Sequence, residues 1–240
     1  MIYIGITGKQ GFIGSHLFNS LKFFHNEFSV IDFESDFFSD DTKLNKFVSS
    51  CDVIVHLAAL NRHSDKNVIY ETNIRLVKKI INSCLYTNSN PHIILSSSTQ
   101  ECNNSTYGSS KKEGRILFEK WSSLNGGTFT GLIIPNVFGP FGKPYYNSVV
   151  STFSHQLCNN EQPNVDSDSV LNLIFIDDLI SDILHKIRMK INDSYCIVKH
   201  TSEVSVSSIL SLLNNFKSTY FDNGKIPLLI NKFELDMFNT

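Results

Sequence analysis

The chain has 240 residues, 41% of them apolar, and a net charge of −2. That composition excludes an intrinsically disordered chain, and the near-neutral balance gives no electrostatic basis for binding nucleic acid or an anionic membrane surface. The five cysteines, at 51, 84, 102, 158 and 196, are odd in number and widely spaced, with no CxxC pair and no metal-ligand spacing, so neither a disulfide framework nor a zinc module is expected.

In chain order, IYIGIT (2–7) reads as a strand that ends in a glycine turn, and Ile13, Leu17 and Leu21 space a helix behind it. FSVID (28–32) is a second strand, and 43–48 a short helix with Asp41 as its N-cap. VIVHL (53–57) is a third strand, 68–85 a helix, HIILSS (92–97) a fourth strand, 107–124 a helix and TFTGLII (128–134) a fifth strand. Residues 135–147 read as a loop, 148–159 as a helix, 170–176 as a strand, 178–191 as a helix, 195–198 as a short strand and 206–216 as a helix capped by Ser205. Short apolar strands alternating with helices make parallel βαβ units. The fold class expected is α/β, a Rossmann-type doubly wound parallel sheet with a small C-terminal substrate lobe. Residues 1–135 form the dinucleotide-binding domain, to which 170–198 return. Residues 136–169 and 199–240 form the lobe, expected over the C-terminal edge of the sheet.

The chain opens MIYIGITG, with no basic segment and no long apolar stretch, so no secretory signal is expected and the reduced thiols suit a cytoplasmic protein. The uncharged stretch 121–142 is broken by Gly, Pro and polar residues and is not a membrane span.

Gly8, Gly11 and Gly14 follow the first strand at three-residue spacing in ITGKQGFIGSHL. Glycines there let a backbone approach a pyrophosphate at a helix N-terminus; a tight strand–helix turn without ligand has the same appearance. Asp32 ends the second strand eighteen residues after Gly14, where an acid bonds a ribose hydroxyl, though a surface acid or helix cap also fits. Ala58 and Ala59 are the only alanines in the chain and lie just past the third strand. Small side chains there leave room for a dinucleotide across the strand ends, or for tight helix–sheet packing. Lys9, inside the glycine turn, is placed to pair with a 2′-phosphate and favours NADP(H), whereas Asp32 repels one and favours NAD(H); the balance leans to NADH. His56, inside a strand, reads as structural. Phe23, Phe24, Phe37 and Phe38 read as packing, and Asp177 and Asp178 as caps of the following helix.

SSSTQ (96–100) ends the fourth strand and YGSSK (107–111) opens the next helix. Tyr107 and Lys111 are four apart, on one helical face. A neighbouring ammonium favours the phenolate, and a fall of about three pH units from the usual value near 10 represents roughly 4 kcal/mol. Such a tyrosine exchanges a proton with a substrate oxygen near neutral pH, and Ser98 is placed to hold that oxygen.

TGKQGFIG, HLAA, Asn73, LSSS, YGSSK, PNVFGP and FIDDL, in this order, resemble the extended short-chain dehydrogenase/reductase family over most of the chain. The resemblance implies a nicotinamide cofactor whose pyrophosphate is met by Gly8, Gly11, Phe12, Ile13 and Gly14, with Leu57, Ala58 and Ala59 along the adenosine and Ser96 and Pro135 also counted among the cofactor contacts. It implies a catalytic set of Ser98, Tyr107 and Lys111, with Asn73 supporting Lys111, and Pro135 to Phe138 beside nicotinamide and sugar. Homodimerisation through the helices starting near Val68 and Tyr107 is also implied. VIVHLAALNR, IILSSSTQ, PNVFGPFGKPYYNSVVSTF and IFIDDL are similar to the reductase half of the capsular-polysaccharide enzymes that make UDP-N-acetyl-L-fucosamine precursors. Those enzymes reduce a UDP-linked 4-keto-6-deoxysugar and carry a C-terminal zinc cupin. This sequence has no HxH-rich barrel segment, so the cupin's epimerase chemistry is not expected here.

Dehydratases of this kind place an Asp-Glu pair beside the catalytic Ser/Thr; here Thr99 and Gln100 stand there and Glu101 comes one residue late. Dehydration is therefore disfavoured, and reduction is preferred over 4-epimerisation, while a dinucleotide-binding sensor or partner subunit without turnover remains the alternative of another class. GKPYYNS (142–148) is the expected substrate loop. In it Lys143 is assigned to the diphosphate, Tyr145 or Tyr146 to the uracil, and Asn147 or Asn136 to sugar hydroxyls, with Phe138 and Thr99 as further contacts. A solvated loop is the plain alternative. Relatives often hold the diphosphate with an arginine before the late strand, and VLNLIF has none.

Overall fold

The apolar, β-branched runs of the sequence are strands Ile2–Thr7 (β1), Phe28–Ile31 (β2), Val53–His56 (β3), His92–Ser98 (β4) and Phe129–Ile134 (β5), followed by Asn136–Phe138 (β6), Val170–Phe175 (β7), Asp193–Ile197 (β8) and Ser202–Ser205 (β9). The helices are Phe12–Phe23 (α1), Asp41–Ser49 (α2), Lys66–Thr87 (α3), Thr106–Asn125 (α4), Val149–Cys158 (α5), Ile176–Met189 (α6), Val206–Phe216 (α7) and Lys232–Phe238 (α8). The structure is a computed structural model describing residues 1–240. It divides into two units, residues 1–134 with 180–198, and residues 135–179 with 199–240.

The first unit holds a six-stranded parallel sheet in the order β2-β1-β3-β4-β5-β8. Ile54, Ile93 and Leu95 point to one face and meet Leu44, Phe47 and Val48 of α2, Val77 and Ile80 of α3, and Phe118 and Trp121 of α4. Val53, Val55 and Ile94 alternate to the other face and are equally buried. Covering on both faces explains why these strands read as unbroken apolar runs rather than as alternating ones. The order reverses between β1 and β3, and open α/β sheets bind ligands at the carboxyl ends of strands at such a point.

The second unit holds a three-stranded sheet in which β7 pairs with β6 in parallel and with β9 antiparallel. The expectation that 170–176 returns to the main sheet is therefore corrected: only β8 closes that sheet. The N-terminal half of β7 is too exposed for a doubly covered sheet, with Val170 at 65% exposure. Its parallel partner β6 escaped the sequence reading because three residues between Pro135 and Gly139 carry no periodicity. β9, α8, the π-helical turn 217–222 and the 3-10 turns 35–39 and 99–102 were likewise not expected.

Asp40, rather than Asp41, caps α2 by accepting from Thr42 N at 3.0 Å and Lys43 N at 3.1 Å. Asp177 and Asp178 lie within the first turn of α6, and Asp178 pairs with Lys232 at 2.7 Å. Phe37 and Phe38 pack around Phe33 as expected, but Phe23 is 83% exposed and Phe24 42%.

Candidate active site

The C-terminal ends of β1, β3 and β4 lie side by side and bring three segments together: Gly8–Gly14, Leu57–Leu60 and Ser96–Glu101. Gly8 has φ +78°, and a Cβ there would sit 2.8 Å from Ala58 N, so the turns after β1 and β3 meet backbone to backbone. A Cβ on Gly14 would run into Gly8 O and lie 2.8 Å from Lys9 Cα. Gly11 then begins α1 with no side chain to cap it and no acid in its first turn, whereas Asp40, Asp65 and Ser105 cap α2, α3 and α4. A helix start left open in this way presents N–H groups and a positive dipole end to an anion. Phe12 and Ile13 are half-buried in that first turn.

At the outer side of this turn Lys9 Nζ lies 3.1 Å from Glu34 and 3.6 Å from Asp32, whose side chain is 91% exposed. Lys9 and Asp32, read as competitors from the sequence, are thus partners, and Glu34 joins them unforeseen.

Leu57, Ala58 and Ala59 are half-buried. Leu57 N donates to Thr7 O at 3.1 Å and Ala58 N to Thr7 Oγ1 at 3.3 Å, tying this segment to β1. The Thr7 hydroxyl also meets His56 Nδ1 at 2.7 Å. Burial, with the Lys111 charge adding to it, pushes the His56 imidazole down to about 3, so it is a neutral part of the core.

Lys111 is 6% exposed. Its Nζ donates to Ser96 O at 2.7 Å and lies 5.7 Å from the centroid of the Tyr107 ring, one turn earlier on α4. Burial lowers Lys111 to about 8, partly offset by the Glu101 carboxylate. The direct partners of Asn73 are Leu60 and Ser110 rather than Lys111. Its Oδ1 accepts from Leu60 N at 2.7 Å, and its Nδ2 donates to Leu60 O at 3.1 Å and to Ser110 Oγ at 2.9 Å. Ser110 Oγ in turn donates to Tyr107 O at 2.7 Å, so Asn73 links the segment after β3 to the turn that carries Tyr107.

Ser98, at the end of β4, accepts from Gln100 N at 3.1 Å and opens the 3-10 turn, with Thr99 exposed beside it. Ser96 Oγ is turned inward to His56 O at 3.3 Å. Glu101 is buried and unavailable as a free base: Arg115 Nε donates to both its oxygens, at 3.0 and 3.1 Å, Arg115 Nη2 donates at 3.0 Å, and the Ser97 hydroxyl also donates to it.

In the second unit Phe138 is 1% exposed between the rings of Phe175 and Phe233, which corrects its reading as a ligand contact. Pro135 is buried, and Asn136, Lys143 and Asn147 are exposed. Lys143 Nζ lies 5.3 Å from the centroid of the Tyr146 ring. Tyr145 has φ +56° and donates its hydroxyl to Glu161 at 2.5 Å.

Residues 4–197 match the NAD dependent epimerase/dehydratase family. A UDP-2-acetamido-2,6-beta-L-arabino-hexul-4-ose reductase of Pseudomonas aeruginosa is 24% identical over 216 residues, covering 89% of this chain and 57% of that protein. The crystal structure of the capsular polysaccharide assembling protein CapF from Staphylococcus aureus superposes with a TM-score of 0.83 at 28% identity, over 99% of this chain and 63% of CapF. The chain thus spans less than two thirds of both. RMD from Pseudomonas aeruginosa, complexed with NADPH, shares the fold at a TM-score of 0.84 and 15% identity, over 100% of this chain and 97% of RMD.

Proposed function

We infer the function from one premise: the chain belongs to the NAD dependent epimerase/dehydratase family. We propose that it is an NAD(P)H-dependent reductase of a nucleotide-linked 4-keto-6-deoxysugar, with UDP as the nucleotide, acting in the synthesis of surface polysaccharide precursors. The observation that carries this reading is Lys111. Its buried ammonium, one helical turn from Tyr107, donates to the Ser96 carbonyl and lies 5.7 Å from the Tyr107 ring centroid, a position that disfavours the fold and sets a cation beside the phenol.

The residues at the strand ends fit a dinucleotide. The open N-terminus of α1 and the Gly8–Gly14 turn take the pyrophosphate, Leu57, Ala58 and Ala59 flank the adenosine, Asp32 takes the ribose hydroxyls, and Lys111 holds the ribose next to the nicotinamide. When bound, the nicotinamide supplies the hydride for C4 of the sugar. Ser98 orients the sugar's keto oxygen and Tyr107 delivers the proton to it, while Lys111 holds the phenol ready to lose that proton. Thr99, beside Ser98, is assigned to the nucleotide sugar. NADH is favoured over NADPH because two carboxylates, Asp32 and Glu34, face one ammonium, Lys9, where a 2′-phosphate would lie. The substrate class is supported by similarity to the Pseudomonas UDP-2-acetamido-2,6-beta-L-arabino-hexul-4-ose reductase, and the polysaccharide role by similarity to the capsular polysaccharide assembling protein CapF.

The test mixes the protein with NADH or NADPH and a UDP-4-ketosugar and follows absorbance of the reduced nicotinamide. Oxidation of the cofactor with loss of the ketosugar is expected. Tyr107→Phe should lower turnover by at least about a thousandfold while NADH binds with a Kd within about threefold of wild type. Conversion of sugar without net oxidation would overturn the reductase reading in favour of an epimerase. Cofactor binding with no turnover of any ketosugar would make the chain a sensor or partner subunit.

A further inference from the structure

Arg115 follows Lys111 by one turn of α4, so two cations sit on one buried stripe of the helix. The buried carboxylate facing them comes from Glu101, in the 3-10 turn between Ser98 and the start of α4. Arg115 grips Glu101 through three hydrogen bonds and reaches Ser194 O in β8 at 3.3 Å through Nη1. Its guanidinium also lies 4.7 Å from the centroid of the Tyr195 ring. Ser97, one residue before Ser98, donates to the same carboxylate. The pair therefore clamps both sides of Ser98 and the helix carrying Tyr107 and Lys111 to one another and to the edge strand of the sheet.

A buried pair of this kind is a weak source of stability, because desolvation offsets most of its Coulomb energy, and a role in fixing geometry accounts for it better. We propose that Glu101, held by Arg115, is a positioning residue for the reaction, fixing Ser98 against Tyr107 and keeping an anionic field on Lys111. The proposal rests on the oxidoreductase reading above and adds to it two residues that touch neither cofactor nor substrate.

The charged and titratable groups around Lys111 are Tyr107 and Arg115 on its own helix, His56 on β3 and Glu101 in the turn. Around the Glu101–Arg115 pair lie Glu119, at 3.8 Å from Arg115, and the side chains of Cys102 and Tyr195. His56 is neutral throughout the working range. Glu101 is the group in this set that raises the pH at which Lys111 gives up its proton, in opposition to the larger effect of burial.

The experiment records kcat/KM for a UDP-4-ketosugar and the Kd of NADH between pH 6 and 9.5. It compares wild type with Glu101→Gln/Arg115→Gln, in which a neutral amide pair replaces the ions, and with Arg115→Gln alone. In the double variant the alkaline limb of both profiles should move to lower pH, with NADH affinity at pH 6 within about threefold of wild type. In Arg115→Gln the unshared carboxylate should move the limb up. Opposite movements of the limb cannot come from a loss of rigidity, which would lower activity by one factor at every pH. An unmoved limb in a folded double variant overturns the proposal. Failure of the double variant to fold also overturns it, because it assigns the pair to the core, and the double variant decides alone where the single one does not fold. Absence of NADH binding by the wild type refutes the oxidoreductase reading itself, and is distinct from either result.

Discussion

Lys111→Met tests whether the site is held at the expense of stability. In the wild type the Lys111 ammonium is buried and its proton affinity falls from the usual 10.5 to about 8. That difference corresponds to about 3 kcal/mol by which the folded state disfavours the charged side chain at pH 7. Methionine fills a similar apolar volume without the charge, and loses one charge-assisted hydrogen bond to Ser96 O, worth about 2 kcal/mol. The variant should therefore be more stable than wild type by about 1 kcal/mol at pH 7. The sign follows from the depressed value: between about 8 and 10.5 the unfolded chain binds more protons, so wild-type stability rises with pH there and the variant's advantage shrinks. By pH 9.5 the balance should have moved by about 2 kcal/mol, leaving the variant about 1 kcal/mol less stable than wild type. Urea unfolding of both proteins at the two pH values measures this directly, and turnover should be abolished in the variant. A variant less stable than wild type at pH 7, or a difference that does not change between the two pH values, refutes the claim that a charge is buried here for function.

Glu34→Gln frees Lys9 from its nearer carboxylate, and should raise the ratio of kcat/KM with NADPH to that with NADH about tenfold, read by initial rates with each cofactor; an unchanged ratio would remove Glu34 from cofactor choice. Acid should destabilise the protein well above the carboxylate range, since burial depresses His56 to about 3 and His92 to about 4. Both are neutral when folded, so stability present above the unfolded value near 6.5 is lost as pH falls towards 4, by about 3 kcal/mol for His92 alone. Urea midpoints at pH 7, 5.5 and 4.5 report it, and His92→Asn should flatten the curve; midpoints that hold steady across the three would contradict it.

The residues that could be read from the sequence are those whose neighbours are local. β1, β3 and β4 stand out because strands covered on both faces need continuous apolar runs. The glycine turn stands out because a side chain at Gly8 or Gly14 would strike backbone, and Tyr107 and Lys111 because one helical turn joins them. Partnerships made by folding were not legible. Glu101 and Arg115 are fourteen residues apart in different elements, and nothing in their spacing marks them as a pair. Asn73 was singled out, but its partners Leu60 and Ser110 lie on two other segments. Glu34 follows a strand that already ends in an acid, which hid it. Phe138 stood in a motif with a ligand-facing reading, yet its ring is core, because β6 alternates and the motif does not reveal which residues point inward.

The Lys9–Glu34 contact has an evolutionary corollary. Glu34 lies in an exposed connection after β2, outside the sheet and the glycine turn, where substitutions leave packing undisturbed. On the proposed reading, a single codon change at that position shifts the preference between NADH and NADPH without touching the glycine turn or the helix that follows it. The residues of the glycine turn, Ser98, Tyr107 and Lys111 would be unchanged by such a substitution.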